Sequence, residues 1–119
     1  MGEFKLGIRK VGTRTSIVVA ATPTLVYPVT PGRTAKLKKV ITYNGQAADI
    51  TLEIGDGAGV NYVRRLPRLH LVARFDAEYG EEDLPEFEFG PANDIYAQAS
   101  AAGAAPLDVE VLVEVEEYE

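Results

Sequence analysis

The chain of 119 residues has no cysteine and no tryptophan, one histidine and a single methionine at its first position. Without cysteine there are no disulfides, no thiolate nucleophile and no Cys-ligated zinc or iron–sulfur centre. A cupin-like metalloenzyme needs several histidines, and any Ser-His-Asp triad would have to use His70 as its base. His70 falls on the alternate face of the Leu69–Phe75 stretch, between Arg68 and Arg74, which is the position of a surface strand residue. The missing Trp also removes the commonest sugar-stacking platform, leaving six tyrosines scattered along the chain. No apolar run approaches the ~18 residues that span a bilayer. Thermolabile side chains are scarce, with three Asn and two Gln beside seven Pro, a balance that points to a thermophilic source.

The opening Met1-Gly2-Glu3-Phe4-Lys5 lacks the apolar stretch of a secretory signal, and Leu6 stands where a myristoylation motif needs Ser or Thr. These features predict a protein made in a cytoplasm, with no membrane partner. Charge is divided unevenly. Residues 1–39 hold eight Lys or Arg and one acid, whereas residues 40–119 hold four basic and seventeen acidic residues. The net charge of −6 argues against nucleic acid as a partner, because phosphate binding needs a basic surface. The basic N-terminal part is expected to meet something acidic: the chain's own C-terminal half, a neighbouring subunit or a negatively charged platform.

Period-two alternation dominates and helical periodicity hardly occurs. Leu107, Val109, Val111, Val113 and Val115 share one face of a long C-terminal strand. Asp108, Glu110, Glu114 and Glu116 share the other, and only Leu112 breaks the pattern. Ile50, Leu52 and Ile54, then Leu69, Leu71, Ala73 and Phe75, then Phe87 and Phe89, alternate in the same manner. Further strands are expected around Lys5–Val11, Thr15–Ala20, Thr24–Val29, Ala35–Tyr43 and Asp94–Ala99. Asn44-Gly45 is a short-hairpin signal, since both residues tolerate the positive φ of a type I′ turn. Connections at 55–62, 76–84 and 100–106 are long enough to cross between sheets. The expected fold is an all-β, antiparallel, jelly-roll-like β-sandwich of about eight or nine strands over residues 17–119. Residues 1–16 precede it as a basic arm or first strand, which could add to a neighbouring subunit's sheet edge.

No motif carries catalytic chemistry. Gly55-Asp56-Gly57-Ala58-Gly59 follows a strand, but neither a Gly-Lys-Ser/Thr continuation nor a helix succeeds it, so it reads as a turn rather than a phosphate cradle. Asp76, Glu78, Glu81, Glu82, Asp83 and Glu86 could offer oxygen ligands to Ca²⁺, yet they lack EF-hand spacing and its closing glutamate. Arg64-Arg65-Leu66-Pro67-Arg68 is the one basic cluster outside the N-terminal part. Its guanidinium forks suit a carboxylate-rich partner or the protein's own acidic loops.

One resemblance goes further. The strand entry Pro31-Gly32-Arg33-Thr34-Ala35-Lys36-Leu37, with Asn44-Gly45 after it, resembles that of small β-sandwich virion proteins of tailed bacteriophages. So does Gly90-Pro91-Ala92-Asn93-Asp94-Ile95-Tyr96-Ala97-Gln98-Ala99, leading to a Val-rich strand that ends in Glu114-Val115-Glu116-Glu117-Tyr118. It covers roughly residues 25–118 as a pattern of spacing, while residues 1–24 lie outside it. It implies a non-enzymatic capsid decoration (cement) protein, or a tail or baseplate accessory, commonly trimeric, with no cofactor and no catalytic residues. In that setting Lys5, Arg9, Lys10 and Arg14 would dock onto an acidic capsid or tail surface, and Arg64, Arg65 and Arg68 would serve a subunit contact. The alternative from another class is a carbohydrate-binding β-sandwich module.

Overall fold

A computed structural model describes residues 7–91, 93–100 and 107–119. Among the described residues eleven strands form two sheets. Sheet A contains β1 (Ile8–Val11), β2 (Thr15–Ile17), β4 (Thr34–Asn44), β8 (Phe75–Tyr79), β9 (Glu88–Phe89) and β11 (Val109–Tyr118). Sheet B contains β3 (Thr24–Tyr27), β5 (Ile50–Asp56), β6 (Val63–Arg64), β7 (Leu69–Leu71) and β10 (Ile95–Ala99). All pairings are antiparallel.

Several strands are halves of one interrupted element, because both pair with the same neighbour. β1 and β2 both lie along β11, β6 and β7 both lie along β5, and β8 and β9 both lie along β4. Merged in this way the eleven strands become eight. They then pair as the two arms of one long ribbon: β1/β2 with β11, β3 with β10, β4 with β8/β9, and β5 with β6/β7. The ribbon is wound so that β11 also joins β4 and β10 also joins β5, which closes two four-membered sheets. This is the double-Greek-key winding of a jelly roll, and it realises the sandwich expected from the alternation.

The inner faces of β5 and β11 are those that the alternation assigns. Val109, Val111, Val113 and Val115 are buried against Ile50, Leu52, Ile54, Ile95 and Phe89, and Phe87 meets Phe89 edge-on with centroids 4.9 Å apart. Burying side chains of this size contributes about 1.5–3 kcal/mol each, which is why a strand's parity is strongly enforced.

Three local expectations fail, each for a physical reason. Asn44-Gly45 is not a hairpin turn, since β4 and β5 lie in different sheets. Asn44 is instead buried as a corner post. Its amide donates to the carbonyls of Ala48 and Leu71, both at 3.1 Å, and its oxygen accepts the Gln46 N–H at 2.9 Å. Gly45 is required by crowding, because a Cβ there would stand 2.1 Å from Asp108 Oδ2. The alternation from Leu69 to Phe75 likewise does not describe one strand. The Asp49 carboxylate accepts the Ala73 N–H at 2.9 Å, Arg74 takes a φ of 55°, and the chain passes from sheet B to sheet A before Phe75. Connections 55–62 and 76–84 stay within their sheets, whereas short corners at 45–49 and 72–74 make crossings. Facing sheets are only ~10 Å apart, so a few residues suffice. The 100–106 connection falls largely outside the described residues.

Candidate docking surfaces and a buried carboxylate

The basic residues singled out above separate onto different edges of the sandwich. Arg9 and Lys10 sit on β1 and Arg14 just before β2, at the β1/β2 edge of sheet A beside β11. Arg64, Arg65 and Arg68 sit on or beside β6 at the edge of sheet B. Lys5 lies outside the described residues.

Along the first edge each cation meets an acid of β11. Arg14 Nη1 is 3.0 Å from Glu110 Oε1, Arg9 Nη2 is 3.7 Å from Glu114 Oε1, and Lys10 Nζ is 3.3 Å from Glu117 Oε1. The charge imbalance between the two parts of the chain is thus answered within the fold. Arg9 and Arg14 nevertheless stay more than half exposed, so such pairs contribute little, in the range of about 0–1 kcal/mol.

Lys10 differs because its partner is buried. Glu117 continues the valine parity of β11 and is completely enclosed. The Tyr27 hydroxyl donates to its Oε2 at 2.5 Å, the Thr30 hydroxyl to its Oε1 at 2.6 Å, and the Thr30 N–H to Oε2 at 3.1 Å. Arg33 Nη1 lies 3.6 Å away. Burial alone would raise this carboxyl's pKa, but the donors from Thr30, Tyr27 and Lys10 outweigh it and hold it at about 2. The Tyr27 phenol is displaced upward, by burial first and by the adjacent carboxylate second. The cluster therefore holds one fixed negative charge and ties β1, the β3–β4 connection and β11 together. Sequence reasoning missed it by stopping the inner face at Val115, although the parity runs on to Glu117.

At the second edge, Arg65 Nε is 2.9 Å from Asp56 Oδ1 and its guanidinium lies over the Phe87 ring at 5.4 Å. Arg68 Nε is 2.9 Å from Glu53 Oε2. Arg64 is exposed and has no ion pair among the described residues. Beside it the glycine-rich segment forms a single 3₁₀ turn, Gly59–Asn61, that carries Val60 fully into solvent. Gly57 permits this turn with a φ of 87°, and a Cβ there would come within 2.3 Å of Asn61 O. Val63 is exposed as well, so the corner combines two apolar side chains with a cation.

The outer face of sheet A carries a shallow groove of about 340 Å³ between Leu112, Ile41 and Tyr43. Its rim is the Arg14–Glu110 pair on one side and Asp76 on the other. Leu112, the residue that breaks the β11 pattern, stands directly opposite Ile41. The acidic 76–86 segment is drawn to the lysines of β4. Glu78 Oε1 lies 2.9 Å from Lys39 Nζ, and Glu81 Oε1 lies 2.9 Å from Lys38 Nζ. The hydrogen bond from Lys38 is the main cause that lowers the Glu81 pKa. Among the described residues no three carboxylate, His or Cys side chains converge as a metal site would require. His70 pairs with Asp49 at 3.1 Å on an exposed surface. No family model, no curated protein and no solved structure matches this chain.

Proposed function

We propose that the protein is a non-enzymatic structural component of a virion, a decoration protein that docks on a larger particle through the corner at residues 57–68. The observation that carries this reading is one short segment that presents a fully exposed Val60, at the tip of a turn, and an exposed Arg64 further along it. An apolar tip that inserts and a cation that meets an acidic shell are the two elements a small docking contact needs. This reading places the docking contact on the corner rather than on Arg9, Lys10 and Arg14, which pair with acids of β11. The jelly roll supports the reading only by analogy, since viral capsid domains and lectins share it with enzymes.

Weak single contacts become strong when many copies sit on a symmetric surface. Co-sedimentation of the purified chain with capsids and with tails from the source of the sequence tests the proposal. Binding to capsids that is lost in Val60→Asp and weakened in Arg64→Glu supports decoration, and binding to tails alone assigns a tail accessory. Binding to neither, together with a hit on a glycan array, favours the carbohydrate-binding alternative.

A further inference from the structure

The outer face of sheet A carries its charge in columns, one per strand. The β1/β2 edge presents Arg9 and Arg14, and β11 presents Glu110, Glu114 and Glu116. Next comes β4, with Lys36, Lys38 and Lys39 all on the outer side. A bulge opposite Glu114/Val115 places the consecutive residues Lys38 and Lys39 on the same face, where strict alternation would turn one inward. Last is the β8–β9 edge, with Asp76, Glu78 and Glu88 exposed and Glu81 close to Lys38. Read across the sheet, the signs run positive, negative, positive, negative. One apolar row, Leu112 beside Ile41, interrupts the two central columns at the same level.

This pattern is antisymmetric about the line between β11 and β4. A two-fold axis laid along that line, parallel to the strands, brings a second copy face to face with its columns exchanged. The β11 acids then meet the β4 lysines of the second copy, and the β1/β2 cations meet its β8–β9 acids. Leu112 meets Ile41, and Arg14 meets Asp76, which has no ion pair among the described residues. We infer that the outer face of sheet A is a self-complementary interface at which two copies of this chain pack about a two-fold axis.

An isologous contact needs a surface that complements itself. An axis laid on a strand would set like charges directly opposite, and of the axes between strands this one opposes all four columns. Four strands at ~4.8 Å and ten residues at ~3.3 Å give roughly 600 Å² per copy. The total of about 1,200 Å² lies at the lower end of specific interfaces, so the dimer should form at micromolar concentration and depend on salt. Aligned packing of two twisted sheets tolerates the crossing of about 30° that their twist imposes. The interface involves neither Val60 nor Arg64, so it does not rest on the docking proposal.

Sedimentation of the full chain from about 1 to about 300 µM brackets the affinity of an interface this size. A mass that rises from monomer to dimer and falls back in ~0.5 M salt is the expected result. Leu112→Asp should weaken the dimer at least ~10-fold while leaving the β-sheet circular dichroism unchanged. The charge columns are tested separately. Lys39→Glu should weaken the dimer, and adding Glu114→Lys should restore it, because each new charge then faces its opposite on the second copy. A monomer throughout the range would overturn the inference. So would a trimer of the kind that the phage resemblance implies, a dimer indifferent to Leu112→Asp, or a folded double variant without recovery. Should Leu112→Asp fail to fold, the charge pair decides alone.

Discussion

The two faces of β11 put similar carboxylates to different uses. Glu114 on the outer face shares Arg9 and Lys39 at 3.7 and 3.9 Å and remains in contact with water. Glu117, three residues on, faces inward, receives short hydrogen bonds from two hydroxyls and is sealed from solvent. Parity decides between them, and the environment then sets the consequence. An outer charge is screened and replaceable, whereas an inner one must be satisfied by every neighbour it has.

That contrast can be broken deliberately. Val113→Asp places an unpartnered carboxylate among the inner valines. It should cost at least ~4 kcal/mol, leaving a chain that circular dichroism reports as unfolded near room temperature. Glu117→Ala removes the acceptor on which Lys10, Tyr27 and Thr30 converge, and a loss of about 3–4 kcal/mol is expected in urea melts. Glu117→Gln should lose less, since its amide oxygen still accepts.

The acid response sharpens the same point. Folding lowers the Glu117 pKa from 4.5 to about 2. The stability this contributes is complete above pH ~4.5 and disappears as pH falls towards 2, with a span on the order of 3 kcal/mol. Urea melts at stepped pH should show this slope, and it should be markedly shallower in Glu117→Gln; equal slopes would count against the buried carboxylate. Tyr27→Phe deletes one donor and should cost about 1 kcal/mol, visible as a modest fall in Tm. Smallest of all, Glu114→Gln should change monomer stability by no more than ~0.5 kcal/mol, measured at a concentration where self-association is absent.

Much of this was legible in the residues. Inner positions of β5 and β11 follow directly from alternation, because a one-residue slip would turn every valine outward. Leu112 stands out in the sequence as the exception to the pattern, and the pairing of β11 with β4 supplies its partner, Ile41. Three other features were hidden, for reasons that are physical rather than statistical. Asn44-Gly45 obeys hairpin chemistry locally, yet tertiary bonds to Ala48 and Leu71 claim the asparagine for a corner. The strand reading of Leu69–Phe75 ignored Asp49, more than twenty residues earlier, whose carboxylate bonds the Ala73 N–H and holds the turn. The charge columns require knowing which strand lies beside which, and the β4 bulge that aligns Lys38 with Lys39 exists only in the paired state. The segregation of basic and acidic residues along the chain was visible, but not that it would become stripes.

The place of β11 in sheet A also constrains how the molecule is made. This strand follows all the other described strands in chain order, yet it lies between β1/β2 and β4 and hydrogen-bonds to both. Until it emerges from a ribosome, β1 and β2 have no ladder to join and the β11-facing edge of β4 stays bare. β4 can pair with β8 and β9 earlier, but sheet A closes only late, through pairings between distant parts of the chain such as Ile8 with Glu117. Folding dominated by such distant pairings is slow, and the waiting strands are vulnerable to association with other nascent chains. The lysines lining β4 keep that bare edge soluble in the interval, as charged gatekeepers do on unpaired strands.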